Sequence, residues 1–238
     1  MHSRSRTTSP TRPTRARVTA PARAGTVLAV LSAVLLILVA GSWSPLMSFD
    51  GTVAEELHRW AVDDPELTRV SRVLTDWVWD PWTMRALTAV IFGWLWWLRE
   101  RLLALWIAVT STVSTFVQQG LKSAVGRERP QWPDPVDSAH YMAFPSGHAM
   151  TAMVTCGLLL WLLGRRIPGD TGGARGVGGW LWRSAVVGAV VSVVGVGLTR
   201  VYLGVHWPSD VVGGWLLGAC FVAVSIASYE RVVLSRAR

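Results

Sequence analysis

Lysine is almost missing from this chain: Lys122 stands alone against 22 arginines in 238 residues. Cysteine is nearly as scarce, and both copies, Cys156 and Cys220, fall inside apolar runs. There they act as small apolar side chains, which excludes a disulfide framework. Charge is also thin, at 16% Asp, Glu, Lys and Arg, and it is nearly absent from the long apolar runs. The formal net charge of +8 is spread over tails and short loops and does not gather on one folded surface, so nucleic acid is not the implied partner. What the chain has in excess is apolar surface, 51% hydrophobic residues with 15 tryptophans, more than a soluble core of this size needs. Its natural surroundings are membrane lipids.

A spanning helix takes roughly 20 mostly apolar residues. Six stretches approach this, near 26–46, 83–98, 101–121, 148–164, 184–203 and 211–229. The expected fold is therefore all-α, an integral membrane bundle of six transmembrane helices, with short extramembrane helices between the first and second spans. Six crossings bring four basic groups to one side: Arg4 to Arg23, Arg99 with Arg101, Arg165 to Arg183, and Arg231 to Arg238. The positive-inside rule makes that side the cytoplasm. Trp96, Trp97, Trp161, Trp180 and Trp182 mark span ends there, and Trp77, Trp79, Trp82 and Trp207 mark them outside. Residues 1–25, rich in Arg, Ser, Thr and Pro, are expected to form a disordered cytoplasmic tail. Residues 26–230 form the six-span domain, and 231–238 a second cytoplasmic tail. A signal peptide ending near Ala40, Gly41 and Ser42 competes with a retained first span, but its charged leader is long and its cleavage signal poor.

Three segments then face outward, about 47–82, 122–147 and 204–210. In the first, Asp50 is expected to cap a helix reaching Trp60. Asp64 with Pro65 caps another, carrying Leu67, Val70, Leu74 and Trp77 on one face as a collar on the membrane surface. Asp63, Asp64 and Glu66 could hold a metal, but they fit helix-start acids more simply. His58 is expected to be solvated, and Asp134, Asp137 and His140 to belong to a polar loop.

The other two segments collect the unusual polar residues. Lys122, Arg127 and Arg129 lead to Ser146, Gly147 and His148 at the start of the fourth span. Arg200 ends the fifth span, and His206 and Asp210 stand at the mouth of the sixth. Two histidines and a carboxylate could bind zinc or iron, yet a divalent cation among three or four fixed cations is repelled, whereas a dianion is held. Arginine offers a planar fork to phosphate oxygens, and lysine a compact point charge. The free N–H groups of a helix beginning after Pro145 face the same anion, with Gly147 allowing close backbone approach. Taken singly, Lys122 or Arg200 reads more simply as a residue snorkelling to headgroups. Their convergence on one face is what points to a site.

Lys122, six residues, then Arg129-Pro130; Pro145-Ser146-Gly147-His148; and Arg200, five residues, His206, three residues, Asp210 together resemble the three-part signature of the type-2 phosphatidic acid phosphatase superfamily. The third block departs in one place, with Thr199 where the family usually has serine. The resemblance implies a phosphoric monoester or diphosphate hydrolase that needs no metal or other cofactor. It implies His206 as nucleophile, Asp210 as the group orienting it, and His148 as the acid for the leaving oxygen and the base for water. Lys122, Arg129, Ser146, Gly147 and Arg200 would bind the phosphoryl group, and Arg127 would touch the substrate headgroup or anchor its loop. The substrate would be a lipid phosphate or diphosphate met at the outer leaflet; phosphatidic acid, phosphatidylglycerol phosphate and polyprenyl diphosphate all fit. A lipid phosphotransferase with the same phosphohistidine is the nearest alternative. A transporter or lipid-binding scaffold would carry charge deep inside its spans, and this chain has little there.

Overall fold

The computed structural model describes residues 15–166 and 177–236. These form eight α-helices: α1 (Arg15–Ala40), α2 (Ser44–Asp63), α3 (Pro65–Val73), α4 (Pro81–Trp97), α5 (Arg101–Val125), α6 (Gly147–Arg166), α7 (Val177–Tyr202) and α8 (Pro208–Arg236). A π-helical turn, Leu74–Val78, follows α3, and there is no strand among the described residues.

Local chemistry sets the boundaries. Asp64 accepts a 2.9 Å hydrogen bond from the Leu67 N–H ahead of Pro65, the expected cap of α3. Asp80 caps α4 in the same way through the Trp82 and Thr83 amides. Gly126, at φ 62°, closes α5 in the left-handed conformation that glycine adopts without penalty, and its N–H returns to the Lys122 carbonyl. The first span ends at Ala40, earlier than expected, because Gly41 and Ser42 (φ 50°) turn the chain before α2, which has Pro45 in its first turn. The small residues that resembled a cleavage signal form that turn. At its other end α1 begins at Arg15, inside the stretch expected to be a disordered tail, and residues 1–14 lie outside the described residues. Likewise α8 continues to Arg236 through the stretch assigned to the second tail. Once a helix is nucleated, each added residue gains a hydrogen bond, so helices run past the apolar segment that marks them in sequence.

Among the described residues, five helices are long and apolar enough to cross a membrane: Val18–Ala40, Arg101–Val125, Gly147–Arg166, Gly178–Tyr202 and Pro208–Arg236. Their outward faces carry Ile37, Phe116 and Val187, all more than 60% exposed, as a multi-pass membrane protein requires. The remaining expected span, second in chain order, is α4, only 17 residues long. It stretches about 26 Å at ~1.5 Å per residue, at the lower end of what crosses hydrocarbon.

Helix α6 is central and packs against α4, α5, α7 and α8, while α1 lies along α8. Between helices in lipid, close packing takes over from the hydrophobic drive. At Gly214 of α8 a Cβ would stand 2.7 Å from the Ser146 carbonyl oxygen, so only glycine lets α8 approach the start of α6 this closely. Trp79, expected at the interface, is instead buried, and its indole fills the notch left by Gly195 on α7. At one end of the bundle Arg165 pairs with Glu230 and Arg166 with Glu100, each at 2.7 Å. All the singled-out polar residues lie at the other end.

Candidate active site

Three chain segments converge at that end: the last turn of α5 with the loop after it, the first turn of α6, and the short connection from α7 to α8. The loop is tied down by its own cations. Buried Lys122 donates to the carbonyls of Met142 and Ala143. Arg129 donates from Nε to Tyr141 O at 2.8 Å and from Nη2 to His140 O at 3.1 Å. Its Nη1 reaches the Val205 carbonyl and, at 3.2 Å, His206 Nε2. Burial, with Arg200 nearby, pushes Arg129 down to about 10, still cationic near neutrality.

His206 is fully buried between α7 and α8. Its Nδ1 lies 3.3 Å from Asp210 Oδ2, which also accepts the Trp207 N–H at 2.9 Å. A guanidinium can only donate and a carboxylate can only accept. The two neighbours therefore select one tautomer: Nδ1 carries the proton toward Asp210, and Nε2 presents its lone pair toward Arg129. Burial first, then Arg129, Arg200, Lys122 and Arg127, hold this imidazole well below the ordinary histidine value, so the ring is neutral.

The first turn of α6 supplies the remaining groups. Ser146 is buried with its N–H on the Asp210 carbonyl at 2.9 Å, and its hydroxyl has no hydrogen-bond partner. A buried, unpaired hydroxyl is uncommon and marks a place where an acceptor is expected. Gly147 meets a constraint invisible in sequence, since a Cβ there would lie 2.9 Å from Gln118 Nε2. His148, half-buried, lies within electrostatic reach of Arg200, His206, Arg129 and Lys122.

Arg200 is buried at the end of α7, with Asp137 3.5 Å from its Nη1 and no partner for its Nε. Thr199, at the family's serine position, turns its hydroxyl to the Val196 carbonyl and to Thr75. Thus seven of the residues singled out in sequence, together with Gly147, share one site. The guanidinium of Arg127 bonds Asp50 and Asp210, both at 2.7 Å, and Ser209, contacts that fit the expected anchor.

Asp50 is the largest departure from the sequence reading. It lies inside α2, not at its start, and its buried carboxylate reaches Ser209 and Arg127. His58 is likewise buried, stacked on Trp132 at 4.3 Å, with Asp134 3.4 Å from Nε2. No periodicity or motif announces these contacts, because each joins residues more than 70 positions apart. Among the described residues, no group of three or more His, Cys, Asp or Glu side chains is arranged to hold a metal ion.

The chain is similar to known proteins in fold and in sequence. A phosphatidylglycerolphosphate phosphatase of PAP2 type from Bacillus subtilis, known from its crystal structure, shares the fold with a TM-score of 0.74, covering 87% of this chain and 96% of that one at 22% identity. An undecaprenyl-diphosphatase of Sulfolobus acidocaldarius is 38% identical over 98 residues, 40% of this chain and 37% of that protein. Phosphatidylglycerophosphatase B of Bacillus subtilis is 34% identical over 98 residues, 41% and 44% of the two chains. A putative undecaprenyl-diphosphatase of Escherichia coli is 33% identical over 141 residues, 57% and 62%. The matches thus span less than two thirds of each of these three relatives. The family model of the PAP2 superfamily matches residues 102–233, more than half of the sequence, and so, with its three motif blocks gathered at one end of a membrane bundle, this chain belongs to the PAP2 superfamily.

Proposed function

We propose that this protein is a membrane phosphatase that hydrolyses a lipid phosphate or diphosphate through a phosphohistidine on His206. The observation that carries the proposal is the placement of His206, with Asp210 at Nδ1 and Arg129 at Nε2, which favours a neutral ring with its lone pair toward the cations that would hold a phosphoryl group. In the first step Nε2 attacks phosphorus, the bond from phosphorus to the lipid oxygen breaks, and His148 delivers a proton to that oxygen. In the second, His148 takes a proton from water, the water oxygen attacks phosphorus, and His206 leaves with its Nδ1 proton still held by Asp210. Lys122, Arg129 and Arg200, with the Ser146 hydroxyl and the Gly147 N–H, bind the oxygens on which charge develops. The substrate tail stays in lipid while the headgroup enters at the end of the bundle.

The chain then crosses the membrane six times, α4 included. Two observations support this: Asp80, which caps the start of α4, is within electrostatic reach of Arg200, and the turn after α4 holds Glu100, paired with Arg166 at the far end. Arg99, Arg101, Arg165 and Arg166 gather at that far end, so the positive-inside rule turns the site toward the outside of the cytoplasmic membrane.

Purified protein in lipid nanodiscs, offered phosphatidic acid, phosphatidylglycerol phosphate and polyprenyl diphosphate, tests the reading. Phosphate release from at least one of them, undiminished by EDTA, is expected. A labelled adduct, stable in base and labile in acid, is expected during turnover. Hydrolysis without any such adduct, or hydrolysis that magnesium or zinc must restore after EDTA, refutes the mechanism.

A further inference from the structure

Asp50 lies outside the stretch matched by the family model, on a helix that the motifs do not include. Its carboxylate is nonetheless among the most enclosed groups of the protein, 1% exposed. Oδ1 accepts the Ser209 N–H at 2.9 Å, and Oδ2 accepts the Ser209 hydroxyl and, at 2.7 Å, Nη2 of Arg127. The other arm of Arg127, Nη1, donates to Asp210 Oδ1 at 2.7 Å and to Ser209 Oγ at 2.7 Å. The chain of contacts runs from Asp50 through Arg127 to Asp210 and ends at His206 Nδ1.

We propose that Asp50 is a positioning residue for the nucleophilic histidine, setting the orientation and the charge of Asp210 through Arg127 and Ser209. The proposal rests on the phosphohistidine reading above.

Orientation follows from the division of the two Asp210 oxygens. Arg127 occupies Oδ1, which leaves Oδ2 to the Trp207 amide and the imidazole. The guanidinium is a rigid fork, and its second arm must be held for the first to stay aimed; Asp50 holds it. Asp50 also accepts an N–H of the first turn of α8, whose orphan amides need acceptors, and so steadies the helix that carries Asp210.

Charge follows from the count of groups. Arg127 paired with Asp210 alone would make a neutral pair and draw the carboxylate's charge away from the imidazole. With Asp50, two carboxylates share one guanidinium, and the cluster keeps one negative charge beside His206. That charge is needed when His206 forms its bond to phosphorus, because the ring then becomes cationic in a buried site. A buried carboxylate serving packing alone has no reason to sit on the same guanidinium as the catalytic one.

Single-turnover measurements on the full-length protein in nanodiscs separate the two roles. For Asp50→Asn, nearly isosteric, the maximal rate of adduct formation on His206 should fall on the order of 10- to 100-fold, the loss typical when an outer partner of a site group is removed. The substrate concentration giving half that rate, and competitive inhibition by inorganic phosphate, should stay within about twofold, since the cradle cations are untouched. Arg127→Lys, which keeps the charge without the fork, should show the same selective loss. The double variant should be no slower than the slower single one, because both act through one contact. Wild-type adduct formation in a folded Asp50→Asn protein overturns the proposal, as does a loss confined to melting temperature. If Asp50→Asn does not fold, wild-type adduct formation in Arg127→Lys overturns it equally. Absence of any adduct in the wild type strikes instead at the phosphohistidine reading.

Discussion

Asp137 Oδ2 stands 3.5 Å from Nη1 of buried Arg200, so a carboxylate already neighbours a cation that the proposed mechanism assigns to a phosphoryl oxygen. Asp137 belongs to the loop between α5 and α6, while Arg200 ends α7, so the contact links the wall of the site to its floor. A phosphate entering the cradle must displace it. Asp137→Asn should therefore tighten inhibition by inorganic phosphate by roughly two- to fivefold, the ~0.5–1 kcal/mol of a partly exposed ion pair. Unchanged or weaker inhibition would mean that the carboxylate does not compete for Arg200.

Lys122 lies buried, with its ammonium on the Met142 and Ala143 carbonyls. Lys122→Arg retains the charge but not the volume or the point geometry. Turnover should drop at least tenfold, about 1.4 kcal/mol of transition-state stabilisation. Wild-type turnover in this variant would reduce the residue to a general source of positive charge.

The two histidines should separate kinetically. On the proposed mechanism His206→Ala removes the nucleophile, so neither adduct nor turnover should remain. His148→Ala removes acid–base help worth about 10²–10⁴ in rate. With a substrate carrying a good leaving group, that variant should still form the adduct and then accumulate it. A label that maps to His148 instead would reverse the two roles.

His206 also makes a prediction about stability. Its folded value is held below the ordinary 6.5 by burial and the surrounding cations, so the unfolded chain takes up a proton that the folded one refuses. Its contribution is complete above about pH 6.5 and is lost as the pH falls from there toward the folded value, at about 1.4 kcal/mol per pH unit. Between about pH 7 and 5 the melting temperature of the wild type should fall more steeply than that of His206→Gln. Equal slopes would show that the histidine is not held neutral.

Sidedness can be read with single cysteines. Tyr141, 84% exposed on the loop beside the site, should react as Tyr141→Cys with an impermeant thiol reagent added outside intact cells. Arg99, in the turn that follows α4, should be protected as Arg99→Cys until the membrane is opened. The reverse pattern would turn the site toward the cytoplasm.

Features that depend on local spacing could be read directly from the residues. Apolar runs marked α1 and α4 to α8, Asp64-Pro65 marked the start of α3, and the three blocks around Lys122, His148 and His206 marked the residues that share a site. Helix length, capping and motif spacing are short-range properties, so they are legible before the chain is folded. Tertiary structure alone decided that Arg127 serves Asp210, that Asp137 covers Arg200, that Gly147 yields to Gln118, and that Asp50 leaves its expected capping role to grip Ser209. Each of these depends on which residue of a distant helix stands opposite. A buried donor or acceptor takes whatever partner the packing brings within about 3 Å, and no spacing along the chain encodes that choice.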